Sequence, residues 1–324
     1  MAANYWESTQ RKHWQFTKDE LTTIRQRLDD EDPTLVQMFP LPQLRHLNIY
    51  FNQQILRLGK RLGVRQQAMA TAQVYLKRFY THIPIRLTNP YLVITTALYL
   101  ACKMEECPQH IRLLTQEARS LWPSDLHAFD ASRVGECEFS LISEMSSQMI
   151  VHQPYRTLLS VQEEFGLTHE EMSLAWTVVN DHYMTDLPLL HPPHVVALTA
   201  VLLALVLRPS SSAAAGAQAR AAAMATGGAQ GFGSQGSQQQ QMGQSQNSQG
   251  ESQGGEVKKV PVTDPRLAKV QRFAAWLADS SIDIEAMIDC TQELISFYDC
   301  HEQYNDKHTR EQISRFIKAR GLDK

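Results

Sequence analysis

The sequence predicts an all-α protein made of two tandem five-helix repeats, with an N-terminal helical arm and a disordered insert inside the second repeat. Three observations carry this. Apolar residues recur at three- and four-residue steps through most of the chain, the period of helices with one buried face. A shift of 103 positions lays Gly63 on Gly166, Met69 on Met172, Ala72 on Ala175, Tyr80 on Tyr183, Pro90 on Pro193, Ala97 on Ala200, Leu100 on Leu203 and Ala101 on Ala204. One ungapped register from Gly63 to Ala101 implies a duplicated helical unit, each copy burying its own apolar faces. Finally, of the 30 residues from Thr226 to Gly255, 24 are Gly, Gln or Ser. Such a stretch cannot bury enough apolar area to offset the entropy of ordering it.

The elements follow in order. Asn4 to Phe16 reads as a short aromatic helical start. A helix then opens at Thr17, with Glu20 three residues on as a capping box, and Asp29–Asp32 with Pro33 end it. Residues 1–40 therefore form the arm, and 41–148 the first repeat. Its first helix carries Leu44, Leu47, Phe51, Ile55, Leu58 and Leu62 on one face and stops at Gly63. The second runs from Gln66 to His82. Asn89 caps a third, Tyr91 to Cys107, apolar almost all round and so central to a bundle. A fourth lies near Ile111–Trp122 and a fifth spans Asp130 to about Ser146.

The second repeat, 149–304, restates the plan with Tyr155–Phe165, Thr168–Thr185 and Pro193–Leu207. The insert, roughly 209–261, follows; then Arg266–Ala278 and Ile282–Tyr304 complete the unit. The tail, 305–324, holds a short amphipathic helix with Thr309 as cap and Gly321 as stop.

Composition narrows the function. The net charge of −3 and pI near 6.5 do not describe a general polyanion binder. No acidic residue lies between Asp32 and Glu105, whereas Arg45, Arg57, Lys60, Arg61, Arg65, Lys77, Arg78, Arg86 and Lys103 do. These are either solvated helix faces or a basic face for an acidic partner. The five cysteines form no CxxC pair, which fits reduced thiols of the cytosol or nucleus. The longest apolar run, Val195 to Leu207, is shorter than the ~20 residues of a membrane span.

No catalytic motif is present: no phosphate-binding GxxxxGK, no GxGxxG, no GxSxG, no kinase HRD or DFG. His169-Glu170-Glu171 opens like a zinc-protease HExxH, but Ser173 stands where the second histidine is needed. His191-Pro-Pro-His194 is explained by helix initiation. No enzyme, metal or cofactor is expected.

The two copies differ at one place. Lys103 meets Val206, Glu105 meets Arg208 and Glu106 meets Pro209 under the 103-residue shift. Glu138, beside Cys137 and Leu141, sits at the edge of the fifth helix's apolar face. Lys103 and Glu138 can close the bundle as a local ion pair, or present a donor and an acceptor to a partner's helix.

Ala101-Cys102-Lys103-Met104-Glu105-Glu106 and Cys137-Glu138-Phe139 resemble the corresponding motifs of a cyclin box. Asn4-Tyr5-Trp6, Arg65-Gln66-Gln67, Tyr75-Leu76-Lys77-Arg78-Phe79-Tyr80, His152-Gln153-Pro154-Tyr155-Arg156 and Leu174-Ala175-Trp176-Thr177-Val178-Val179-Asn180-Asp181 resemble the cyclin C family. The resemblance implies two cyclin-box repeats and a non-catalytic regulatory subunit. It further implies a partner, a Mediator-associated cyclin-dependent kinase, in RNA polymerase II transcription in the nucleus.

On that resemblance Lys103, Glu138 and Glu105 lie at the groove for the kinase αC helix. Tyr5, Trp6 and Trp14 make a second contact from the arm. Trp176, Asn180 and Asp181 are a candidate surface for further kinase-module subunits. Neither nucleic acid nor membrane is an expected partner. Leu44-Arg45-His46-Leu47 departs from the Met-Arg-x-x-Leu-x-x-Trp pattern of cell-cycle cyclins, so substrate docking of that kind is not expected. Two rival readings are a DNA-binding cyclin-fold factor of the general-transcription-factor IIB type and a passive helical scaffold.

Overall fold

The computed structural model describes residues 4–123, 129–207 and 265–322, and among them every regular element is helical. The expected disordered insert lies outside the described residues, as do Arg208 and Pro209.

A single 3₁₀ turn over Tyr5–Glu7 leads into α1 (Thr9–His13) and α2 (Lys18–Asp30). The box that opens α2 is reciprocal: Glu20 N donates to Thr17 Oγ1 at 3.2 Å, and Thr17 N donates to Glu20 Oε2 at 2.7 Å. The acidic run that stops α2 also starts a helix that the apolar period did not predict. Leu35 N donates to Asp32 Oδ1 at 2.9 Å, and Pro33 takes the first position of α3 (Pro33–Met38).

The first bundle comprises α4 (Leu44–Arg61), α5 (Gln66–Phe79), α6 (Pro90–Met104), α7 (Ile111–Leu121) and α8 (Ala131–Glu144). Two helices are shorter than their sequence pattern. α5 ends at Phe79 rather than His82. α6 ends at Met104 rather than Cys107, because Glu106 turns to φ 54° and Cys107 N donates back to Cys102 O at 2.9 Å.

The second bundle holds α9 (Tyr155–Phe165), α10 (His169–Asp181), a one-turn α11 (Leu187–Leu190), α12 (Pro193–Val206), α13 (Pro265–Asp279) and α14 (Ile284–Glu302). Duplication extends to the backbone. Gly63 and Gly166 both end their helices in the left-handed region, at φ 63° and 58°.

The two apolar cores meet at α5, whose Ala70 and Val74 belong to the second core while Tyr75 and Leu76 belong to the first. The linker between the repeats is strung along the same helix. Tyr75 Oη donates to Met149 O at 2.5 Å, Arg78 Nη1 to Gln148 O at 2.9 Å, and Gln153 Nε2 to Gln67 O at 3.0 Å. The arm bridges both bundles. Phe16 N donates to Leu189 O at 2.8 Å, Arg25 pairs with Asp186 at 2.8 Å, and Lys18 pairs with Asp289.

The tail helix α15 (Asp306–Arg320) begins a turn earlier than expected. Asn305 caps it, accepting from His308 N at 3.1 Å, while Thr309 is buried within the first turn. Ile313, Phe316 and Ile317 enter the core of the first bundle, so the chain ends where its first repeat began.

The basic stretch is largely neutralised inside the molecule. Arg45 pairs with Glu293 (3.3 Å), Arg57 with Asp306 (3.5 Å), Arg61 with Glu117 (3.5 Å) and Arg86 with Asp29 (2.8 Å). Arg78 is wholly buried. These residues form no open basic face, and the DNA-binding rival loses its best support.

Candidate functional site

Lys103 sits in the last turn of α6, and Glu138 projects from the middle of α8, the helix packed beside it. Lys103 Nζ donates to Glu138 Oε1 at 2.7 Å and to Oε2 at 2.9 Å. The ammonium also lies 4.2 Å from the Tyr99 ring centroid. Burial works against the lysine's charge, but Glu138 and Tyr99 outweigh it and raise its pKa above the ordinary lysine value. The pair is not sealed in, with the lysine side chain 40% exposed and the glutamate 16%. Around it stand large apolar side chains open to solvent: Phe139 at 79% on α8, with Met104 and Leu113 also exposed. In the second bundle the position of Lys103 is taken by the exposed Val206.

Glu105 turns the other way. Its carboxylate accepts from Gln67 Nε2 at 2.6 Å and from Thr71 Oγ1 at 2.5 Å, and Thr71 Oγ1 in turn accepts from Gln153 Nε2. It therefore ties the end of α6 to α5 and to the inter-repeat linker, and does not meet Lys103 or Glu138.

The three arm aromatics have separate fates. Trp6 is 54% exposed, its ring 5.2 Å from that of His194 and covered by Arg11 at 5.3 Å. Tyr5 is half-buried between His152 and His194, donates to Gln15 Oε1 at 2.8 Å, and is pushed up to about 12 by burial despite Arg11. Trp14, expected to reach a partner, is 3% exposed and belongs to the core of the first bundle. That expectation is corrected: its ring is already spent on packing, and it anchors the arm.

Trp176, Asn180 and Asp181 are half-buried at the seam between bundles. Trp176 packs against Tyr155 with centroids 4.7 Å apart. Asn180 Oδ1 accepts from Gln66 Nε2 at 3.1 Å and Tyr155 Oη at 2.7 Å, while Asp181 accepts from Tyr298 Oη at 3.2 Å. All three already hold helices of this chain together.

Sequence reasoning missed Gln10. Buried in the arm, it makes a two-way amide pair with the linker: Gln10 Nε2 donates to His152 O at 3.2 Å, and His152 N donates to Gln10 Oε1 at 2.6 Å. A lone glutamine in a polar helix carries no pattern that could have announced this. His191 pairs with Asp289 at 2.9 Å instead of joining His194 at a metal. Among the described residues no three His, Cys, Asp or Glu side chains gather as a metal site, and no helix is long and apolar enough to cross a membrane.

Comparison with known proteins decides the family. The model of the cyclin N-terminal domain matches residues 16–150. A curated RNA polymerase II holoenzyme cyclin-like subunit of Chaetomium globosum is 74% identical over 364 aligned positions, covering 100% of both chains. The chain belongs to the family of RNA polymerase II holoenzyme cyclin-like subunits. It is thus a cyclin, a regulatory and non-catalytic polypeptide. The like-named protein of Neurospora crassa is 64% identical over 349 positions, again covering 100% of both. Among solved structures, a chain of the CAK complex from Chaetomium thermophilum bound to ATP-gamma-S covers 99% of this cyclin and 88% of its own length, with TM-score 0.59 at 16% identity. A chain of the yeast TFIIK (Kin28/Ccl1/Tfb3) complex covers 61% of this cyclin and 85% of its own length, with TM-score 0.51 at 19% identity. At those identities the two structures speak to the fold alone.

Proposed function

We propose that this cyclin binds and activates a cyclin-dependent kinase of the Mediator kinase module, and so regulates RNA polymerase II transcription in the nucleus. The observation that carries the reading is the open Lys103–Glu138 pair, set among exposed apolar side chains on the first bundle only. An ammonium has three donors and a carboxylate about four acceptor sites, so the pair keeps hydrogen-bonding capacity after bonding to itself. Main-chain groups at a kinase αC helix suit that capacity, and Phe139, Met104 and Leu113 supply the apolar surround that excludes water.

The mechanism needs no reacting atom from this chain. Kinase catalysis requires the αC glutamate to pair with the lysine that holds the ATP phosphates. A cyclin that binds only the inward αC conformation shifts the kinase population toward it. Exposed Trp6 with Tyr5 would add a second contact from the arm, and further kinase-module subunits would join the assembly.

The test is the double exchange Lys103→Glu with Glu138→Lys, co-expressed with the kinase. Mutual attraction within the exchanged pair leaves the bundle folded, while the charges shown to the partner are reversed. Helical content by circular dichroism should stay unchanged and kinase co-purification should be lost. Undiminished co-purification would refute the assignment.

A further inference from the structure

Between α2, α4, α5 and the Tyr183–Leu189 segment of the second bundle lies a cleft of about 290 Å³. It shares no residue with the Lys103–Glu138 face or the arm aromatics. Leu47, Phe51, Ile55 and Leu76 give it apolar walls. Set into those walls are polar groups with no partner inside the protein: both amide atoms of Asn52, the Gln73 carbonyl oxygen and the Tyr183 hydroxyl. Each of the three residues is at least nine-tenths buried, so water outside the cleft does not satisfy them.

Lys77 lines the same cleft and has neither a hydrogen bond nor an ion pair among the described residues. The carboxylate acting on it, Asp186, is already committed to Arg25 at 2.8 Å and to Asn48 at 3.2 Å. At the rim Arg86 is paired with Asp29. The facing charges are thus Lys77, Arg25 and Arg86 against Asp29 and Asp186, which leaves one positive charge uncompensated. Burial holds the Lys77 amine down to about 8, with Asp186 opposing.

Apolar walls with a few convergent polar groups are the pattern of small-molecule sites, whose volumes begin near ~300 Å³. We propose that this cleft binds a small organic carboxylate with an aromatic or branched apolar body and one further hydrogen-bonding group. Lys77 receives the carboxylate. Asn52, Gln73 and Tyr183 receive the second polar group, and the body lies on Phe51 and Leu76. Because the walls come from the arm and from both bundles, occupancy clamps three parts of the chain together and raises the melting temperature.

The test uses the full chain, titrated calorimetrically with para-hydroxyphenylacetate, its neutral amide and inorganic phosphate. The carboxylate should bind saturably at one site, with the amide at least about ten-fold weaker and phosphate weaker than either, as expected when both charge and body contribute. Lys77→Met should erase the preference for acid over amide. Tyr183→Phe, which removes an unpartnered hydroxyl, should weaken the acid without lowering the melting temperature. Equal affinity of acid and amide, a preference that survives Lys77→Met, or no saturable binding of the carboxylate would each overturn the proposal. Phosphate binding as tight as the carboxylate would also overturn it, since a bare anion site needs no body. The acid–amide comparison is made on the unaltered chain, so it decides even if Lys77→Met fails to fold.

Discussion

Trp14 Nε1 donates to Gln148 Oε1 at 2.6 Å, fastening the arm to the inter-repeat linker across 134 residues of sequence. The same ring stacks on His82 at 5.4 Å and receives the Arg78 guanidinium at 5.1 Å. The arm is therefore pinned by a buried side chain. Trp14→Ala should cost about 3–5 kcal/mol in urea unfolding. Trp14→Phe keeps most of the ring but orphans Gln148, and should cost about 1–3 kcal/mol. A loss below about 1 kcal/mol for the alanine variant would show that the arm is held elsewhere.

His182 predicts an acid limb to the stability curve. The residue is enclosed, its Nδ1 against the Val179 carbonyl, and burial lowers its pKa from 6.5 to about 3. The unfolded chain therefore takes up a proton that the folded chain refuses. The contribution is whole above the unfolded value and falls with pH by about 1.4 kcal/mol per unit until the folded value is reached. Between pH 7 and pH 5 that amounts to about 2 kcal/mol. His152 and His194, also lowered by burial, slope the same way in any variant. The difference between the unaltered chain and His182→Gln isolates one residue; identical slopes in the two proteins would contradict the assignment.

Gly63 and Gly166 make a paired prediction. Both have positive φ, and a methyl group added at either meets nothing within 4 Å. Alanine there should carry the backbone cost alone, about 1 kcal/mol, and nearly the same cost at both sites. Gly59 is different, because an added Cβ would lie 2.4 Å from Met69 Sδ where α4 crosses α5. Gly59→Ala should lower the melting temperature more than either corner variant, although alanine favours helix by about 1 kcal/mol. Thermal unfolding of the three variants checks the ranking.

Helices with a strong apolar period and a recognisable cap could be read directly, as α2 with Thr17 and Glu20 and α6 with Asn89 show. α3 escaped because Asp32 and Pro33 signal a stop and a start alike, and only packing chooses between them. The cap of α15 shifted from Thr309 to Asn305 for a related reason. A threonine can cap a helix or bury its methyl inside one, and here Thr309 Oγ1 donates back to Asn305 O at 3.2 Å.

At the site, Lys103 and Glu138 were legible as residue types lacking in the second copy, while their 2.7 Å contact required the packing of α6 on α8. Trp14 was misjudged because an aromatic in a polar arm looks the same whether it anchors or greets. Its fate rests on Arg78, His82 and Gln148, all far away in sequence. The pairing of Arg45 with Glu293, 248 residues apart, was likewise beyond any local pattern.

The return of α15 to the first bundle bears on how the molecule is made. Ile313, Phe316 and Ile317 fill space beside residues synthesised at the opposite end of the chain. Until translation reaches them, the earlier-made half stays open along that flank, with Leu47 and Phe51 exposed to chaperones. The N-terminal half cannot mature on the ribosome ahead of its twin; both are completed together, after release.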